Sequence, residues 1–356
     1  MNCCRLLLSI GLVSVTTLAA CKKDKKAEPQ ATAGSATAGS AAAGSAAAGS
    51  AAGSAETPPP KPPEATNTTD SELAGGGVML NLEEHTWKPI GSLPKGAEMA
   101  VLEGTPPFAA PKAFTILLKF PNKYTIPPHT HLVTERVTVL SGALLFGHGE
   151  KYDKSKTKEL TAGGIVMVPA DHAHFVTTTK ETVVQLQGVG PWGIFYIDPK
   201  DDPRQPPPEK PASVDHPTDS EIQPTEQNVA DTKWAPAPSS LPPGAEIAVL
   251  EGAPPFGAGK SFVMRLKFPA GYKIPVHHHL VTERVTVLSG ALKFGMGDKW
   301  EDAAMKSMKA GGEILMPREH KHFVQADGET IVQLQGVGPW GIVYANPDED
   351  PRNAKK

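Results

Sequence analysis

Two fourteen-residue stretches, HTHLVTERVTVLSG at 129–142 and HHHLVTERVTVLSG at 277–290, differ at a single position. Each sets two histidines two residues apart and a glutamate four residues after the second. Side chains alternate across an extended strand, so His129 and His131 share a face, as do His277 and His279. Glu135 and Glu283 keep the even spacing and can return to the same interior. A third histidine follows in each copy, His174 in GGIVMVPADHAHF and His322 in GGEILMPREHKHF. Three imidazoles and a carboxylate suit a divalent transition metal, whether manganese, iron, nickel, cobalt or zinc. On an octahedral ion such a set leaves two positions open. Strand histidines are more often surface or hydrogen-bonded residues, but nine of the twelve in this chain fall in these four stretches. That concentration favours one metal per copy.

Other residues near these stretches admit two readings. Glu135 and Glu283 could serve as proton acceptors as well as ligands. His172 and His320, two residues before the last histidine, are either partners behind the ligands or solvent-facing turn residues. Gln185 and Gln187, with Gln333 and Gln335, put amides on one strand face, which either lines a pocket or faces outward. Parity sends His278 away from the ligands and turns Arg136 and Arg284 away from the glutamates, with surface pairing expected for the arginines. Trp192 and Trp340 in GVGPWG are expected as a lid on the core, with stacking on a ligand as the alternative.

The elements that must position these residues come in duplicate. AVLEGTPPF at 100–108 recurs as AVLEGAPPF at 248–256, QLQGVGPWGI recurs unchanged, and DPR closes both copies, all at an offset of 148. Short Val- and Ile-rich runs with period two, broken by Gly, Pro and Asn, predict strands of a sandwich or barrel. A short helix is expected near DAAMKSMKA, and a hairpin turn at LSGAL, where Gly142 and Gly290 tolerate positive φ. The fold class is all-β, twice, with domains at 78–204 and 234–356 and a Pro-rich linker at 205–233.

The spacing H-x-H-x3-E-x6-G, followed by G-x4-P-x4-H, resembles the two motifs of the cupin superfamily, and the duplication makes the chain similar to a bicupin. The resemblance implies two jelly-roll β-barrels that can form a pseudo-dimer. It carries the ligand role onto His129, His131, Glu135 and His174, and onto His277, His279, Glu283 and His322. The second motif usually has Gly where Asp171 and Glu319 stand, so the turn before His322 is expected to differ in shape. The Asn that often closes that motif is replaced by Thr178 and Ala326.

The beginning of the chain bears on location. Arg5, the apolar run to about Val13 and the small residues before Cys21 read as a secretory signal over 1–20. LAAC at 18–21 resembles a bacterial lipobox, which implies a lipid on Cys21 and a membrane as partner, at the periplasmic or outer-membrane face of the envelope. The remaining cysteines, Cys3 and Cys4, would leave with the leader, so no disulfide is expected. Residues 21–77, rich in Ala, Gly, Ser and Pro, read as a disordered tether. The cluster KKDKK at 22–26 either meets anionic headgroups or is a solvated root. A net charge of −3 sets nucleic acid aside. Two functions stay open: a metal-dependent enzyme of dioxygenase, decarboxylase or isomerase type on a small oxygen-rich substrate, and a non-catalytic module that binds or senses metal or a small ligand.

Overall fold

The structure, a computed structural model, describes residue 73, residues 76–211, residue 214 and residues 222–354. The leader, Cys21 and nearly all of the tether lie outside the described residues. Among the described residues no helix is long and apolar enough to cross a membrane.

Each repeat forms a barrel of two facing antiparallel sheets. In the first, a seven-stranded sheet has the order Thr225–Gln227, Ile165–Val168, Glu135–Ser141, Thr182–Val189, Ala113–Phe120, Glu98–Glu103, Lys88–Pro89. A five-stranded sheet has the order Ile194–Tyr196, Thr125–His131, His174–Thr178, Ala143–His148, Thr157–Thr161. The second barrel repeats this, with Val78–Leu80, Glu313–Met316, Glu283–Ser289, Thr330–Val337, Ser261–Phe268, Glu246–Glu251 and Ala235–Pro236 in its larger sheet. Its smaller sheet contains Lys306–Lys309, Ala291–Met296, His322–Ala326, Lys273–His279 and Ile342–Tyr344. Alternation directs Phe114, Ile116, Val137 and Leu186 into the first core, and Phe262, Met264, Val285 and Leu334 into the second.

Three expectations change here. LSGAL is not a hairpin, because Glu135–Ser141 and Ala143–His148 belong to different sheets. Gly142 (φ 87°) and Gly290 (φ 75°) turn the corner between the sheets, and a Cβ on either would lie 2.3 Å from the carbonyl oxygen of Glu181 or Glu329. DAAMKSMKA forms only a 3-10 turn, Asp302–Ala304, and then the strand Lys306–Lys309, whose Met308 is buried. The linker is also shorter than its composition suggests. Thr225–Gln227 pairs with Ile165–Val168 of the first barrel, while Val78–Leu80, on the N-terminal side of the first barrel, pairs with Glu313–Met316 of the second.

These two segments are equivalent in the repeat, so the barrels exchange edge strands reciprocally. Each exchanged strand is followed by an asparagine that fastens it. The Asn81 side chain donates to the Ser307 carbonyl (3.1 Å) and accepts from the Lys309 amide (2.8 Å). The Asn228 side chain donates to the Glu159 carbonyl (3.0 Å) and accepts from the Thr161 amide (3.0 Å). The exchange covers sheet edges whose unpaired backbone groups would otherwise be open to other chains.

The outer faces of the two larger sheets meet, which buries Thr182–Val189 along its whole length. Arg136 and Arg284 are therefore not surface residues. Arg136 donates through Nε and Nη2 to Glu251, both at 2.6 Å, and Arg284 donates to Glu103 at 2.7 and 2.5 Å. Gln185 donates to Thr286 (2.8 Å) and Glu313 (2.7 Å), Gln333 donates to Thr138 (2.7 Å), and Gln335 bonds Gln185. These amides thus face the other barrel. Gln187, two residues from Gln185 on the same strand, shares that outer face, so neither Gln187 nor Gln335 lines the barrel interior.

Candidate metal centre

Thr125–His131 delivers His129 and His131, Glu135 opens the strand Glu135–Ser141 of the opposite sheet, and His174 stands directly across from His129 in register. The donor nitrogens of His129, His131 and His174 lie within 4.8 Å of one another, and so do those of His277, His279 and His322. Glu135 closes the first group, its carboxylate oxygens 3.5 Å from Nε2 of His131 and 3.1 Å from Nε2 of His174. The Glu283 carboxylate stands 3.4 Å from His279 and 3.1 Å from His322. All eight residues are buried.

Backbone carbonyls orient the imidazoles. A carbonyl only accepts, so Nδ1–H must donate: His129 to Pro127 (2.7 Å), His131 to Gly193 (2.8 Å) and His174 to His172 (3.0 Å). The second barrel repeats this at Pro275, Gly341 and His320. Each ring is thereby fixed in the tautomer that leaves Nε2 as a lone pair. Nε2 of His131, His174, His279 and His322, with one carboxylate oxygen each of Glu135 and Glu283, is buried without a hydrogen-bond partner. Native interiors rarely leave so many polar atoms unsatisfied at one place, and a bound cation satisfies them all. The donor set fits a divalent transition metal, and both clusters can hold one.

Electrostatics favour the same state. Burial, with His174 and His131 nearby, holds His129 well below the ordinary imidazole value, and burial pushes His131 down to about 4. Burial opposes the charge on Glu135, but His131 and His174 outweigh it and keep that carboxyl low. His277 and Glu283 shift in the same directions for the same reasons. Metal ligation needs neutral imidazole and ionised carboxylate, and burial disfavours the protonated forms of His129, His131 and His277.

Trp192 and Trp340 both cover the core and stack on a ligand imidazole. Trp192 lies 4.1 Å from the His131 ring at 15°, and Trp340 takes the same position on His279. They brace rings already held by the carbonyl one residue further on, Gly193 or Gly341. The duplicated GVGPWG carried this signal, and the carbonyl role in it was missed. His172 and His320 support the last ligand through their carbonyls, not their rings. The His172 ring instead approaches His148 (2.9 Å), which meets Glu226 (2.6 Å), while the His320 ring is exposed. His278 stays outside the cluster. Asp171 (φ 61°) and Glu319 (φ 64°) both adopt left-handed backbone, and their amides donate to the carbonyls of His131 and His279, each at 2.8 Å. The two turns are therefore alike, against the difference expected from the Glu.

Above the second cluster lies a cavity of about 550 Å³, walled mainly by apolar side chains, with His277, His279 and Glu283 among the residues lining it.

Two fused jelly-roll barrels with this interior cluster define a bicupin. Over residues 109–338 the chain matches the family described as "Domain of unknown function (DUF4437)", and it belongs to that family. No curated protein matches it. Among solved structures it is similar to a Nostoc punctiforme protein provisionally assigned as a dioxygenase, with 13% identity and a TM-score of 0.51, covering 74% of this chain and 84% of that one. A cupin 2 conserved barrel domain protein from Leptotrichia buccalis shares 14% identity at a TM-score of 0.45, covering 70% and 92%. Oxalate decarboxylase from Lactobacillus farciminis, in its formate complex, shares 12% at 0.47, covering 78% and 90%. At 13% identity the likeness to the Nostoc punctiforme protein is one of fold alone.

Proposed function

We propose that each barrel binds one divalent transition metal through its three histidines and one glutamate, and that the protein is a metal-dependent enzyme acting on a small oxygen-bearing substrate. The reaction would be of dioxygenase, decarboxylase or isomerase type. The observation that carries this reading is the set of buried, unsatisfied Nε2 and carboxylate oxygen atoms aimed at one point in each barrel. Bound metal would act as a Lewis acid toward a substrate oxygen. The chain's own part is to hold three neutral imidazoles in fixed tautomers and to exclude water with Trp192 and Trp340. Glu135 or Glu283 then offers a carboxylate that can take a proton. Elemental analysis of the purified protein should find up to two equivalents of metal. His131→Ala should lose about one equivalent and His279→Ala the other, since each leaves an incomplete ligand set. A variant retaining both would refute the ligand assignment. Glu135→Gln with Glu283→Gln should abolish turnover.

A second reading, a non-catalytic binding or sensing module, is favoured by one observation. Besides the ligands, the only titratable side chain among the described residues lining the second cavity is Arg352, already paired with Asp350 at 2.6 Å. Saturable ligand binding without chemistry on any reconstituted metal would decide for it. The leader and Cys21 support a lipid-anchored location in the bacterial envelope. Cys21→Ser should release the protein into the soluble fraction, and membrane retention after a high-salt wash would refute the anchor.

A further inference from the structure

We infer that the second barrel receives a molecule whose polar atoms are confined to one end, with a hydrocarbon body filling the rest of the cavity. The inference rests on the metal reading above and names the substrate class for that site. A cavity of about 550 Å³ is of the size that holds a small organic molecule. Its polar side chains are His277, His279 and Glu283 of the cluster, with Ser240 and Arg352 the other polar ones among the described lining residues. The walls are built from Leu241, Ile247, Met264, Leu266, Leu334 and Ile342.

Arg352 is the one cationic side chain among the described lining residues, and its charge is already engaged. Its Nε donates to Asp350 at 2.8 Å, and its Nη2 donates to Asp350 at 2.6 Å and to the Ile342 carbonyl at 3.1 Å. A substrate carboxylate set against the apolar walls would therefore have only the uncharged Ser240 side chain near it among the described lining residues, which is unfavourable. A hydrocarbon there gains from every methylene removed from water. The rigid ligand end, braced by Trp340 and the Gly341 carbonyl, fixes the polar head before the body packs. The oxygen atoms of the proposed substrate thus belong to its head. A dicarboxylate long enough to set its second carboxylate among these walls is disfavoured.

The test uses the full-length protein carrying His131→Ala, so that only the second site is loaded, with metal content measured on the same sample. Linear alkyl hydroxamates are titrated by calorimetry, alongside an analogue with the same head and chain but a terminal carboxylate. Affinity should tighten about fourfold per added methylene, and the terminal carboxylate should weaken it by about tenfold or more. Val249, 38% exposed and on the cavity wall, offers a second variant, Val249→Lys. That change should narrow the gap between the two chains. Affinity independent of chain length, equal binding of the carboxylate-ended chain, or a gap untouched by Val249→Lys, each with one equivalent of metal bound, would overturn this inference alone. Failure of the second site to take up metal would overturn the metal reading and this inference with it.

Discussion

Removing Glu251 tests whether the interface between the barrels is held as the structure describes. Its carboxylate accepts both Arg136 bonds at 2.6 Å, and the two side chains are 0% and 3% exposed. Glu251→Ala takes away the carboxylate to which Nε–H and Nη2–H both donate, while the guanidinium stays buried. Breaking such a pair from one side costs about 3–5 kcal/mol. That is a large share of the ~5–15 kcal/mol that holds a domain folded. Replacing both partners, Arg136→Met with Glu251→Leu, removes the stranded charge together with the bond, and such exchanges are often neutral or stabilising. Urea unfolding of the parent, both single variants and the double variant closes the cycle. Each single change should lower the midpoint strongly and the double change should recover most of the loss, with unchanged slope. A loss below ~1 kcal/mol for Glu251→Ala, the range of exposed ion pairs, would show that the barrels do not meet through this pair.

Asn81→Ala should cost about 1–2 kcal/mol and reduce hydrogen-exchange protection at 306–316, more than 200 residues away. Protection at 157–168 should be unchanged, whereas loss there instead would refute the exchange. Burial pushes the Glu313 carboxyl well above its ordinary value, despite hydrogen bonds from Thr286 and Gln185. A raised carboxyl keeps its proton where the unfolded chain has released it, so its stabilisation is complete below the ordinary carboxylate value and is lost as pH rises through the folded one. Glu313→Gln should therefore gain stability over the parent toward neutral and alkaline pH, read from urea midpoints across pH 5–9; a pH-independent difference would refute this. Gly142→Ala should destabilise by about 1–2 kcal/mol from backbone strain alone, measured by thermal unfolding, and more because the Glu181 carbonyl must move.

What could be read in the sequence follows from the range over which each feature is encoded. The facing of His129, His131 and Glu135 is a parity argument over seven residues, and His174 follows after three further strands in a short motif of its own. Such local patterns survive into the fold. The Arg136–Glu251 pair joins positions 115 residues apart, and neither residue differs in type from one on the surface. Gln185 and Gln335 alternate with Leu and Val as outward residues should, and only the second barrel makes that outside an inside. The exchanged strands are three residues long and half-buried, too short to show a period. In the linker their signal was overwhelmed by proline. The turn at Glu319 was misjudged from side-chain preference, where two backbone hydrogen bonds and the ligand beyond it decide.

The reciprocal exchange of Val78–Leu80 and Thr225–Gln227 makes the chain a homodimer written as one gene. A single repeat has one strand too many at its start and one too few in its sheet, so two separate repeats would complete each other around a twofold axis. Fusion removes the requirement that both halves be identical. Arg265 stands where the first repeat has Leu117, and Glu313 where it has Ile165. Arg265 reaches across to the Gly163 carbonyl at 2.7 Å, and Glu313 reaches across to Gln185 at 2.7 Å. In a dimer of identical second repeats both side chains would each appear twice across the axis, and the leucine and isoleucine of the first repeat would be gone. A covalently joined pair can therefore diverge one side at a time. The same freedom extends to the two metal sites, which share a scaffold without being bound to share a substrate.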